Sequence, residues 1–458
     1  MSYFIDLTQP DERPPYDHFL PSRRADDDRY VVYVRKALPD QGVPAAPAAM
    51  TDILDYLSRA LEVGHCVYVH CCAGIGRSNM VAGCWLRRGG LPGGEAILRL
   101  NRLWRTNPHA ASWPHVPATP EQQHYVEHWS EPVADPDRDQ EPPVDPAAVQ
   151  WLRSRYQGAL LGLACGDAIG ATMQFRKPGQ AAPISGLIGG GHWQLPPGAW
   201  TDDTAISLCL AESLLSDEKF DATDQRRRYR RWRQESHLTS TGQCVGITAQ
   251  MAAALRREDA SEPPVERGFA AGGAHAVTRA GVVALFAASD PGRAFSWAAA
   301  AAAATDPAVA ARHAAMVYAA LMLAALGGTG RAGLIDGARD LWRAHAAMPA
   351  GIFDVAVGAG TSSRPLVDGG DPAVSDPFAV LGVVVGALSS AAGFREGLLG
   401  LVNRGGDADL HGALFGQLAG ALYGVEAIPA AWRAGLLRRA LLQDFADRLL
   451  IAALAPHD

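Results

Sequence analysis

The chain has 458 residues, more than one hydrophobic core usually organises, so two or more domains are expected. Hydrophobic residues make up 48% and charged residues 19%, a balance ordinary for a soluble globular protein. A formal net charge of −7 with a pI near 6.1 excludes broad nucleic-acid binding, which needs a basic surface.

In chain order, strand-like YVVYV (30–34) and CVYVH (66–70) flank a helical stretch, MTDILDYLSRALEVG. A second helix, NMVAGCWLRRGG, follows Arg77, and the alternation predicts an α/β layer with a parallel sheet over residues 1–130. Residues 131–149, within and just after SEPVADPDRDQEPPVDP, are rich in Pro and acids and read as an extended linker. From 150 to 458 the texture is Ala- and Leu-rich, as in AARHAAMVYAALMLAALGG, and predicts an all-α domain. Gly412, Gly416 and Gly420 fall four apart on one helix face, which allows close helix approach. The run RRRYRRWR (226–233) reads as a solvated helix face, with a phosphate-attracting patch as the alternative.

Seven scattered cysteines make no disulfide framework and fit a reducing cytosol. The opening MSYFIDLTQPDERPPYD has no signal-peptide pattern, and apolar stretches such as AVLGVVVGAL (379–388) are too short for a membrane span. A cytoplasmic protein without membrane attachment is the expectation.

Two sets of residues carry chemistry. The first is His70-Cys71-x-x-Gly74-x-x-Arg77-Ser78, at the junction of a strand and a helix. Backbone N–H groups of Cys72, Ala73, Gly74, Ile75, Gly76 and Arg77 can cradle a phosphate dianion at that helix start. The same field favours a Cys71 thiolate, the Arg77 fork can bind two phosphoryl oxygens, and Ser78 can donate to the thiolate as it leaves. The segment resembles the dual-specificity branch of the protein tyrosine phosphatase superfamily. That resemblance implies a phosphomonoester substrate, on a protein or a small molecule, and a phosphocysteine intermediate. It also implies a general acid on a movable loop, for which LPDQGVP offers Asp40, and a water-orienting residue, Gln122 or Gln123.

The second set is spread over GLACGDAIGATMQF, GAWTDDTAISLCLAESL and NRGGDADLHGALFGQLAGALYG. Asp202 and Asp203, and Asp407 and Asp409, stand at helix starts, where one Asp can serve as an N-cap. Paired carboxylates repel unless a cation lies between them, and oxygen donors favour Mg²⁺ or Mn²⁺ over zinc. From Gln157 to Trp432 the chain resembles the ADP-ribosylglycohydrolase family. The resemblance implies an all-α fold and a binuclear Mg²⁺ or Mn²⁺ centre with Thr201, Asp202, Asp203, Asp407 and Asp409 at ligand positions. It implies cleavage of ADP-ribose from an acceptor, with an ADP-ribosylated protein or ADP-ribose derivative as substrate. Gln174, Gly246, Ala274, His275 and Leu410 depart from the family pattern. Asp202 or Asp203 could still act as base, and a domain that binds ADP-ribosylated partners without cleaving them is the alternative.

Overall fold

The computed structural model describes residues 3–21, 31–62, 65–131, 146–177, 179–256, 273–358 and 376–454. The chain divides into two compact units, Met1–Val144 and Asp145–Asp458. The first carries strands β1 (Tyr3–Asp6), β2 (Val32–Arg35) and β3 (Val67–His70), all parallel, in the order β2-β1-β3. The outer two coincide with the expected strands within two residues. The central one, YFID, is too short to show a period in the sequence. Helices α1 (Pro47–Glu62), α2 (Arg77–Arg88), α3 (Gly93–Trp104) and α4 (Pro120–His128) complete the unit. Asp6 pairs in register with His70, so β1 and β3 end together and Cys71 leaves the sheet at its carboxyl edge. Parallel sheets present ligands at that edge.

Residues 132–145 of the expected linker lie outside the described residues. Its last four residues are helical, because α5 (Pro146–Met173) starts with a proline at the position where a missing N–H does no harm.

In the second unit the described residues form helices joined by loops, as the Ala/Leu texture predicts. Its centre is the contact of α5 with the helix Ala408–Tyr423. Gly158, Gly162, Gly166 and Gly170 face Gly420, Gly416, Gly412 and Ala408 in turn, and a Cβ on any of these α5 glycines would overlap the facing carbonyl. The two backbones therefore touch along four turns. Helical glycine costs roughly 1 kcal/mol relative to alanine, so a ladder this long is tolerable only where backbone contact offsets it. The apolar helix Val309–Leu326 packs on the same core, with the Tyr318 hydroxyl donating to the Leu414 carbonyl at 2.8 Å. It is long and apolar enough to cross a membrane, unlike the stretches weighed from the sequence, but protein covers 89% of it.

The basic run is a solvated face only in part, with Arg233 exposed and Arg227, Arg230 and Arg231 half-buried. It lies in α7 (Ala222–Glu235), where Arg226 and Arg228 are buried. Arg228 is paired with Asp224 at 2.6 Å and with Glu212 at 2.5 Å. Those carboxylates lie on α7 itself and on α6 (Asp202–Asp217), and they neutralise a charge that burial would otherwise make untenable.

Gly166→Val places a branched side chain against the Gly412 carbonyl. Thermal unfolding should show a loss at or above the ~1–3 kcal/mol usual for overpacking, whereas Gly94→Ala, on an open stretch of α3, should change little.

Candidate functional site

In the first unit the loop between β3 and α2 gathers the predicted phosphate-binding residues. Gly74 has φ +72°, a left-handed conformation that a side chain would resist, and Asn79 on α2 donates to the carbonyls of Gly74 and Ile75 at 2.8 and 3.1 Å. Cys71 Sγ lies 3.4 Å from Ser78 Oγ. Burial pushes the Cys71 thiol up, but the Ser78 hydroxyl, the N–H groups of Ser78 and Gly74, and Arg77 outweigh it and lower its pKa. Cys84, buried without such donors, is raised instead.

Arg77 is almost fully buried, and its fork is already engaged. Nη1 and Nη2 meet the two Glu12 oxygens at 2.6 and 2.7 Å, and Nη1 also donates to the Leu38 carbonyl at 3.1 Å. Asp40, exposed on its loop, is 3.1 Å from Nη2. Glu12 was invisible to motif reading because it lies 65 residues from Arg77. The structure also separates the two glutamines. Gln122 is buried, donates to the Gly42 carbonyl at 3.0 Å, and sits against Gly76, while Gln123 is turned to Pro117.

In the second unit, α6 opens with Thr201 at its N-cap, but the cap comes from elsewhere. Asp167 of α5 accepts the N–H of Thr201 at 3.0 Å, the N–H of Thr204 at 3.0 Å, and both threonine hydroxyls at 2.6 Å. Asp202 and Asp203 are thereby released from capping. Asp407, at the N-cap of Ala408–Tyr423, makes no side-chain cap bond either. The capping reading of the acidic pairs therefore fails. Asp167 holds the Thr201 turn in place, and its signal in the sequence was a charge inside an apolar helix, which must find partners when buried.

Asp202, Asp203 and Asp409 converge from two helix starts, with one oxygen of each within 4.8 Å of the others. Asp202 Oδ1, Asp203 Oδ2 and both Asp409 oxygens are buried without a hydrogen-bond partner among the described residues. Burial and the neighbouring Asp203 raise Asp202 well above the usual carboxylate range, and burial with Asp407 and Asp203 does the same to Asp409. Asp167 is pushed up to about 7 by burial and by Asp203. These orphaned oxygens fit a hard divalent cation.

Asp407 is turned to His275, whose Nε2 is 3.2 Å from Asp407 Oδ2, and whose Nδ1 is 3.4 Å from Asp203 Oδ1. Burial works against the charge on His275, but Asp407 and Asp203 overcome it and raise its pKa well above the usual value. Asp407, despite burial, is held at about 2 by His275. Thr201 spends its hydroxyl proton on Asp167, and Gln174 accepts from the Trp193 indole at 2.6 Å. Gly246, at φ +89°, leaves the space that Asp202 Oδ1 enters, and Leu410 is fully buried without an oxygen to offer. A cavity of about 20 Å³, room for one water, is lined by Asp202, Thr248, Gln250, His275, Arg279 and Asp306 among others.

Comparison with known proteins bears on this second unit. "ADP-ribosylarginine hydrolase Tri1" of Serratia proteamaculans (strain 568) is 29% identical over 309 residues, covering 65% of this chain and 80% of that protein. "ADP-ribosyl-[dinitrogen reductase] glycohydrolase" of Rhodospirillum rubrum is 32% identical over 288 residues, covering 61% and 90%. A solved structure described as an "ADP-ribosylglycohydrolase-related protein complex" superimposes with a TM-score of 0.57 at 33% identity, covering 67% of this chain and all of its own. The family profile ADP-ribosylglycohydrolase matches residues 149–457, and the chain belongs to that family.

Proposed function

We propose that this chain joins two hydrolases: a divalent-cation-dependent ADP-ribosyl-acceptor hydrolase in the second unit and a cysteine-dependent phosphatase in the first. For the second unit the observation that carries the reading is the group of buried, unpartnered oxygens on Asp202, Asp203 and Asp409 in a chain of this family. These residues would hold Mg²⁺ or Mn²⁺, and such an ion supplies charge stabilisation and a lowered pKa for water. The acceptor we infer is an arginine side chain, since one relative is named for ADP-ribosylarginine. Water adds its oxygen to the ribose carbon as the bond to the acceptor nitrogen breaks. Asp202 or Asp203 accepts the proton that the water gives up, and the departing nitrogen takes one up. Gln174, bonded to Trp193, and the oxygen-free Leu410 favour the second reading, a unit that binds ADP-ribosylated proteins without cleaving them.

For the first unit, support comes from the lowered Cys71 pKa, the Cys71–Ser78 contact and the nearness of Asp40 to Arg77. Cys71 Sγ forms a bond to phosphorus as the ester oxygen leaves with a proton from Asp40, and water then releases phosphate with Asp40 as base. Seven scattered cysteines without paired spacing suit a reducing, cytoplasmic setting for this chemistry.

Titrating Mn²⁺ or Mg²⁺ into chelator-stripped protein should raise the unfolding temperature of the second unit, because the ion binds only the folded site; at 100 times Kd the gain is about 2.7 kcal/mol. Asp409→Ala should lose both that shift and release of ADP-ribose from ADP-ribosylated arginine. A wild-type shift without release would favour the binding reading.

Cys71→Ser should abolish hydrolysis of an aryl phosphate and leave ADP-ribose release intact. Asp40→Asn should slow hydrolysis by roughly 10²–10⁴-fold for esters with poor leaving groups, and far less for activated ones.

Because the Ser78 hydroxyl lowers the Cys71 pKa, Ser78→Ala should slow alkylation of Cys71 by iodoacetamide at neutral pH. In wild type the labelling rate should fall as pH drops through the Cys71 pKa, and mass spectrometry of the labelled peptide measures both.

A further inference from the structure

The number of ions the site can take depends on the donors it leaves free, an inference that rests on the metal centre proposed above. The family resemblance implies two cations, but while His275 engages Asp407 the residues present leave only one set of donors free. Within this acidic cluster the buried oxygens without a hydrogen-bond partner among the described residues belong to Asp202, Asp203 and Asp409, a single group. Asp167 is spent on four hydrogen bonds from Thr201 and Thr204. Leu410 has no oxygen, Gln174 is bonded to Trp193, and Gly246 has no side chain.

The other carboxylate, Asp407, faces a ring. His275 stands between it and Asp203, with one ring nitrogen directed to each, at 3.2 and 3.4 Å. The turn that carries the ring is fixed. Gly273 N–H donates to buried Asp306 at 2.6 Å, and the His275 carbonyl accepts from the Thr278 hydroxyl at 3.1 Å. The imidazole thus bridges carboxylates from two helix starts, which is the task of a shared cation.

We propose that His275 takes the place of the second cation, so that this chain holds one divalent ion, at Asp202, Asp203 and Asp409.

The test is Mn²⁺ binding to the chelator-stripped full-length chain, followed by equilibrium dialysis and electron paramagnetic resonance. Wild type should bind one ion per chain with the six-line signal of isolated Mn²⁺. His275→Gly, with His275→Ala as a second variant should the first not fold, should bind two ions and show a spin-coupled spectrum. Two ions in wild type would overturn the proposal and leave the metal centre standing. One ion in wild type and in a folded variant alike would overturn it too, since His275 would not then be what excludes the second. Nitrogen coupling from a directly bound imidazole in wild type would overturn it by making His275 a ligand. No bound Mn²⁺ in wild type would bring down the metal centre and this inference together.

Discussion

Backbone contact between α5 and the helix Ala408–Tyr423 is the constraint on which the second unit depends. Side chains would hold two helices 8–10 Å apart, but the facing glycines let carbonyls of one helix lie against α-carbons of the other. The ladder ends at Gly170, which lies against Ala408 and the Asp409 α-carbon. Asp167, one turn back along α5, captures the Thr201 turn through four hydrogen bonds. One close helix pair thus brings Asp202, Asp203 and Asp409 to a common point, although about 200 residues separate them in the chain.

Electrostatics then sets the character of that point. Five buried aspartates, Asp167, Asp202, Asp203, Asp407 and Asp409, lie together with His275, and His411 sits beside Asp407. Hydrogen bonds satisfy Asp167 and His275 answers Asp407, whereas Asp202 and Asp409 are pushed toward the neutral form by burial and by their neighbours. A buried carboxylate without a partner is among the least favourable groups a protein can carry. Three such carboxylates side by side form a donor set suited to a divalent cation, in keeping with the ADP-ribosylglycohydrolase family.

The first unit solves a different problem, lowering the pKa of one half-buried cysteine with hydrogen-bond donors. Its donors are local, since Ser78 and the N–H groups of Gly74 and Ser78 lie within seven residues of Cys71. Arg77 is held from farther away, by Glu12 and the Leu38 carbonyl, and Gln122 ties the helix α4 to the loop that carries Asp40. A rigid guanidinium fork suits a carboxylate, and the Glu12 carboxylate takes both Arg77 donors.

Local chemistry was therefore legible from residues alone. The strand, turn and helix around Cys71–Ser78 read directly because consecutive residues and near neighbours build them, and the helical texture after 146 reads because it is periodic. The acidic pairs were visible as pairs, since adjacent carboxylates need a reason to coexist. What tertiary structure alone decided is which partner each charge meets. Arg228 went inside to Asp224 and Glu212 rather than to solvent, Glu12 took the Arg77 fork, Asp167 assumed the capping role, and His275 came between Asp203 and Asp407. Each of these pairings but one joins residues distant in sequence, and the cost of burying a charge depends on what the fold sets beside it, which no local pattern encodes.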